Sequence, residues 1–176
     1  MTERVPEWVV GAWERTSLVI EGAPAADIGR AVWIQAERSY VDVRAPGSAA
    51  SGTAFAGSGN WRGGVFTWHH DIDLHPEPGR LDRGTLRLDG EDLVEAGDDL
   101  DGLGPYVERW RRLPASEGPG ETVTADGGLA VRVGAHYAFV HDDRDRDGEF
   151  SARYRRRTGH AWIDEIAIGA RDWQPF

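Results

Sequence analysis

"VWIQAERSYVDVRAP", Val32 to Pro46, is the stretch whose faces decide the fold. Side chains along a strand alternate between its two faces, so this stretch reads as two strands, the end of Arg30–Gln35 and Ser39–Ala45. On the first, Val32 and Ile34 oppose Trp33 and Gln35; on the second, Val41 and Val43 oppose Tyr40, Asp42 and Arg44. Each strand therefore has one aliphatic face and one face of aromatic and hydrogen-bonding groups. If the aliphatic side chains point inward, they fill the fold and the polar faces are ordinary surface. If they point outward against other elements, the interior is a polar, aromatic pocket. Large aromatics make poor surface residues, and Trp33, Tyr40 and, further on, Trp110 all lie on the polar faces, which favours the pocket.

The same alternation runs along the chain. With 23 Gly and 9 Pro in 176 residues, turn signals recur every eight to twelve positions and helix signals are nearly missing. Twelve segments, from Trp8–Ile20 to His160–Ile168, read as strands, and Pro114 to Gly128, "PASEGPGETVTADGG", is the one linker-like segment. Closing a sheet removes the exposed edges that so many short strands create. The expected fold is all-β: a single closed antiparallel barrel of about ten strands, calycin or lipocalin-like, forming one domain over residues 1–176.

Composition excludes several functions. Thirty acidic against twenty basic residues give a net charge of −10, which repels phosphate backbones, so no nucleic-acid partner is expected. Cys is absent, which removes disulfides, thiolate nucleophiles and Cys-based zinc sites. The start, "MTERVPEWVVGAWERTS", has acidic residues among its first seven and no long apolar run, so the expectation is a cytoplasmic protein without a membrane segment. Neither a Gly-x-Ser-x-Gly elbow nor a phosphate-cradling glycine loop occurs, and there is no Lys for a Schiff base; no cofactor is expected.

Gly11-Ala12-Trp13 in "WVVGAWERTS" resembles the Gly-x-Trp that opens the first strand of lipocalins, fatty-acid-binding proteins and other calycins. With "VWIQAERSYVDVRAP", "AFAG", "TWHHDIDLHP", "DLVEAG" and "YVERWRRLP", it makes roughly the first two thirds of the chain similar to a bacterial and fungal group of lipocalin-like proteins without an agreed role. The resemblance implies a barrel with a small-molecule pocket. Glu14-Arg15-Thr16-Ser17 replaces the Gly-rich continuation of haem-binding nitrobindin-like barrels, which argues against haem, and Tyr154-Arg155-Arg156 stands where fatty-acid-binding proteins carry Arg-x-Tyr.

Three segments carry candidate chemistry. In "FTWHHDIDLHP", Phe66, Trp68, His70, Ile72 and Leu74 share the apolar face, which would turn His70 inward; burial and neighbours could place its pKa near neutrality for proton transfer, or it could be a core His bonded to a backbone carbonyl. His69, Asp71, Asp73 and His75 share the opposite, solvated face. In "YVERWRR", Glu108, Trp110 and Arg112 share one face. A buried carboxylate or guanidinium must pair or meet a ligand, so Asp42 and Glu108 are expected to pair with Arg44, Arg15 or Arg112, or to serve a substrate. Asp143-x-Asp145-x-Asp147-Gly148 imitates half a calcium loop, but Tyr154 stands where the bidentate Glu belongs and strands flank it; the expected structure is a hairpin corner with no metal.

Three functions fit these residues. The first is a cofactor-free acid–base enzyme of isomerase, cyclase, lyase or hydrolase type acting on a small organic molecule through His70, Asp42 and Glu108. Trp33, Gln35, Tyr40, Arg44, Trp68, Trp110 and Arg112 would bind its substrate. The second is a carrier or sensor using the same pocket without catalysis, and the third a filled barrel serving an interaction. A monomer or homodimer suits all three.

Overall fold

The computed structural model describes residues 4–47 and 51–176. The chain is all-β, and the described residues contain fourteen strands: β1 Gly11–Ile20, β2 Ala23–Pro24, β3 Ala31–Gln35, β4 Ser39–Arg44, β5 Thr53–Arg62, β6 Val65–Asp73, β7 Asp82–Asp89, β8 Asp92–Gly97, β9 Tyr106–Arg112, β10 Glu121–Ala125, β11 Gly128–Val133, β12 His136–Asp142, β13 Phe150–Thr158 and β14 Ala161–Ile168. No helix among them is long and apolar enough to cross a membrane.

Strands β1 and β3 to β9 pair in sequence as antiparallel neighbours. The circle closes when β9 returns to β1, in a register from Trp13↔Arg112 to Ile20↔Tyr106. The barrel thus has eight strands, with β2 as a short flap on β1, and not the ten or so expected. The remaining strands, β10 to β14, form a separate five-stranded sheet. Closure has already satisfied both edges of the barrel, so later strands must find another way to bury their apolar face. They pack against the outside of the barrel.

That packing resolves the two-faced pattern of β3 and β4. Val32, Ile34, Val41 and Val43 point out of the barrel, with Ala54 and Ala56 of β5, and meet Leu129, Val131, Ala138, Val140 and Ala152 of the second sheet in one aliphatic core. Trp33 and Tyr40 point inward with Trp13, Phe55, Phe66, Trp68, Leu93 and Trp110. One end of the barrel is sealed by the segment before β1. Val5 and Val9 join the interior cluster, and Trp8 meets Trp61 edge to face at 5.6 Å.

A β-bulge where β5 pairs with β6 changes which side chains reach the interior. Gly57 opposes His70 and Ala56 opposes Ile72, leaving Asp71 as an extra residue on β6. An extra residue inverts the alternation beyond it. Phe66, Trp68 and His70 point inward as expected. Ile72 and Leu74 then turn out to the sheet interface, and Asp73, expected on the solvated face, turns in beside His70. Gly57 permits the bulge, since a Cβ there would lie 1.9 Å from the His69 carbonyl oxygen.

The Asp-rich corner between β12 and β13 forms a single 3-10 turn, Arg144–Arg146, followed by Asp147 in the left-handed conformation. Arginines hold two of its carboxylates, Arg144 gripping Asp142 through two nitrogens and Arg171 pairing with Asp143, while Arg146 reaches out to Asp126 beside β10. Arg144 also donates to the backbone carbonyls of Asp73 (2.8 Å) and Leu74 (3.0 Å), so the corner ties the second sheet to the end of β6.

Candidate functional site

At the barrel end opposite the N-terminal seal, the interior opens into a chamber of about 280 Å³. That lies near the lower edge of the ~300–1,000 Å³ usual for small-molecule sites. Its walls are aromatic: Trp33 stands edge to face with Trp68 at 5.6 Å and with Trp110 at 5.8 Å, and Phe55 lies across from them. Period-two alternation sends side chains from β4, β6, β7, β8 and β9 into this space.

The charged groups are arranged in pairs. Arg44 makes a bidentate contact with Asp42, Nε to Oδ1 at 2.8 Å and Nη2 to Oδ2 at 3.0 Å, with its guanidinium 5.1 Å over the Phe55 ring. Arg15 reaches Glu108 at 2.7 Å, and with side chains 5% and 2% exposed this pair is out of water. Arg15 also donates to the Ile28 carbonyl at 2.8 Å.

His70 sits between two carboxylates, Nδ1 at 2.6 Å from Asp73 and Nε2 at 2.9 Å from Asp82, and stacks on Phe55 at 4.2 Å. Ionised carboxylates only accept, so both ring nitrogens carry protons and the ring is an imidazolium. Burial by itself would lower the His70 pKa; the bonds to Asp73 and Asp82 and their charges outweigh it and raise it from 6.5 to about 9. This corrects the expectation of a near-neutral His70 poised to take a proton. The Asp73 pKa moves the opposite way: burial would raise it, but the His70 bond and the His75 backbone N–H hold it below the carboxylate range.

Glu95 of β8 lines the chamber beside Glu108, its cross-strand neighbour on β9. It accepts a hydrogen bond from the Tyr106 hydroxyl at 2.8 Å and from the Trp110 indole N–H at 3.2 Å. Burial, reinforced by the charges of Glu108 and Asp82, pushes its pKa well above the usual range. Gly97 makes this contact possible, because a Cβ there would come within 2.3 Å of the Tyr106 ring. At the mouth, Arg80 from the β6–β7 connection pairs with Asp101 from the β8–β9 connection and lies 3.4 Å from Glu77.

Seven of the sequence candidates line the chamber: Trp33, Asp42, Arg44, Trp68, His70, Glu108 and Trp110. Gln35 and Tyr40 point inward but lie in the wall. Gln35 accepts from the Trp33 indole at 3.2 Å and donates to Ala36 and Ser39 carbonyls, while the Tyr40 hydroxyl faces the His69 carbonyl at 3.4 Å. Arg112, expected to bind ligand, is at the sealed end. There it donates to the carbonyls of Trp8 (2.7 Å) and Val10 (2.8 Å) and covers the Trp13 ring at 4.2 Å. Its strand carries it inward, but at a height where the N-terminal segment already closes the barrel, so it serves as part of the plug.

Sequence reasoning missed Asp73, Asp82, Glu95 and Tyr106. For Tyr106 a signal was present, since it shares the alternation of Glu108 and Trp110; for Glu95 the signal was an acid two residues after inward-facing Leu93. Asp73 was hidden by the bulge. Among the described residues, no group of three or more His, Asp or Glu side chains is disposed to hold a metal ion. Comparison of the chain with family models, with curated proteins and with solved structures found no match.

Proposed function

We propose that this chain is a small-molecule-binding barrel of lipocalin-like type, acting as a carrier or sensor. The observation that carries the proposal is the aromatic-walled chamber into which oriented polar groups converge from several strands. Its ion pairs are fixed by one another, giving a preorganised frame in which a planar ligand stacks on Trp33, Trp68 and Trp110. The clamped imidazolium of His70 supports binding over proton shuttling, since a ring that already donates from both nitrogens has no lone pair to act as a base.

Titration of intrinsic tryptophan fluorescence with one- and two-ring organic compounds tests this. The expected result is saturable change with at least one of them, weakened tenfold or more by Trp68→Ala or Trp110→Ala, which remove stacking area. Absence of any saturable change across the set would overturn it.

A second function, acid–base catalysis without a cofactor, draws support from Glu95. A carboxyl holding its proton beside the Arg-paired carboxylate of Glu108 places an acid and a base in one chamber. On this account Glu95→Gln abolishes turnover of a bound substrate and leaves its affinity within a few fold. Turnover at the parent rate in that variant would remove the assignment.

A further inference from the structure

Seven acidic side chains line the chamber: Asp42, Asp73, Glu77, Asp82, Glu95, Asp101 and Glu108. Among the described residues, six of them have a cation within ion-pair distance. Arg44 takes Asp42, His70 takes Asp73 and Asp82, Arg80 takes Glu77 and Asp101, and Arg15 takes Glu108. Glu95 is the exception. Its two oxygens are met by neutral donors, the Tyr106 hydroxyl and the Trp110 indole, and the residue is 6% exposed.

A buried carboxyl facing an open chamber with no cation is either protonated or waiting for one. The surroundings of this carboxyl fit a particular kind of cation. Trp110 donates to Glu95 and lines the same space as Trp33 and Trp68, and indole rings attract organic cations. No arginine competes, because each chamber cation is already engaged. We propose that the chamber's ligand carries a protonated amine, whose ammonium group bonds to Glu95 and packs among the three tryptophans.

This rests on the chamber being a ligand site and goes beyond it by naming the ligand's chemical class. It also couples binding to a proton. Without ligand the Glu95 pKa is pushed well above the usual carboxylate range, by burial first and then by Glu108 from β9 and Asp82 from β7, while Tyr106 from β9 and Arg44 from β4 pull the other way. An arriving ammonium replaces that proton. Binding therefore releases up to one proton, and affinity rises with pH until Glu95 ionises in the free protein.

Calorimetry with three phenylethyl probes tests the inference: 2-phenylethylamine as the ammonium, 2-phenylethanol as its isosteric neutral analogue and 3-phenylpropionate as the anion. At pH 7.5 the ammonium is expected to bind at least tenfold more tightly than the alcohol, with the carboxylate weakest. Repeating the ammonium titration in buffers of different ionisation enthalpy should show proton release, which needs no variant and so does not depend on a substitution folding. Glu95→Gln should abolish both the preference and the proton release. Equal or tighter binding of the alcohol or carboxylate overturns the amine assignment and leaves the chamber as a ligand site. If none of the three binds while another compound in the fluorescence set does, the amine assignment again falls; if nothing binds in either assay, both proposals fall together.

Discussion

Strands β3 and β4 bury both of their faces, but the two faces meet different surroundings. Outward, Val32, Ile34, Val41 and Val43 are fully buried against aliphatic side chains of the second sheet. Inward, Trp33, Tyr40 and Asp42 are at most 4% exposed, in a space that also holds ion pairs. The outward contact is non-directional: it requires shape and dryness, and it stabilises through apolar area removed from water. The inward side spends desolvation on charges that must then be paired, an arrangement that adds little net stability compared with a well-packed apolar core. A barrel built only to be stable would fill its interior as it fills its exterior. That this interior instead keeps paired charges around open space is the strongest physical reason to look for a ligand there.

The sharpest break in this comparison is removal of one charge from the interior. Arg15→Met leaves Glu108 buried without its cation, and breaking such a pair costs about 3–5 kcal/mol. Urea unfolding at pH 7 should show that loss. A loss under about 1 kcal/mol at pH 7 would mean that the pair is solvated and that the chamber is not the low-dielectric site described above.

A matched change on the other face should behave differently. Ile34→Ala removes methyl groups from the dry interface and should cost roughly 2–4 kcal/mol, a typical range for buried aliphatic truncation. No titratable group touches that effect, so it should be the same at pH 5 and pH 8. A pH-dependent cost would show that the interface is less separate from the charged interior than the strand faces imply.

How much of this could be read from the sequence differs between the same two regions. The faces of β3 and β4 were legible, because alternation depends only on local backbone geometry, and so was the inward course of Trp68, His70, Glu108 and Trp110. The number of barrel strands was not, since it depends on whether β9 finds β1, a pairing between distant segments with no local signature. The strand β10 is hidden in a Gly- and Pro-rich segment with mostly exposed, Thr-rich residues. Asp73 reads as solvated because one extra residue, Asp71, inverts the pattern, and Arg112 reads as a ligand-binding residue because alternation gives direction but not height along the barrel. Local rules gave faces; partners and depth came from tertiary pairing.

The smallest expected effect concerns His70, and it distinguishes a clamp from a catalytic base. With its pKa raised in the fold to about 9 from 6.5, the protonated ring bonded to Asp73 and Asp82 stabilises the native state. A raised pKa means the folded protein binds the proton more tightly than the unfolded chain, so the contribution is fully present below about pH 6.5 and is lost as pH rises through about 9. At about 1.4 kcal/mol per pKa unit, and discounted because the side chain is one-fifth exposed, it is on the order of 2 kcal/mol. Unfolding free energies of the parent and of His70→Gln, measured from pH 6 to 9.5, should therefore converge as the pH rises. Glu95 also lowers stability as pH rises, since its folded pKa is raised, but it is present in both proteins and cancels in the difference. A difference that stays constant across that range would mean that His70 does not carry the extra proton in the fold. It would then be a neutral ring with a free lone pair, and the case for His70 as a general base would be restored.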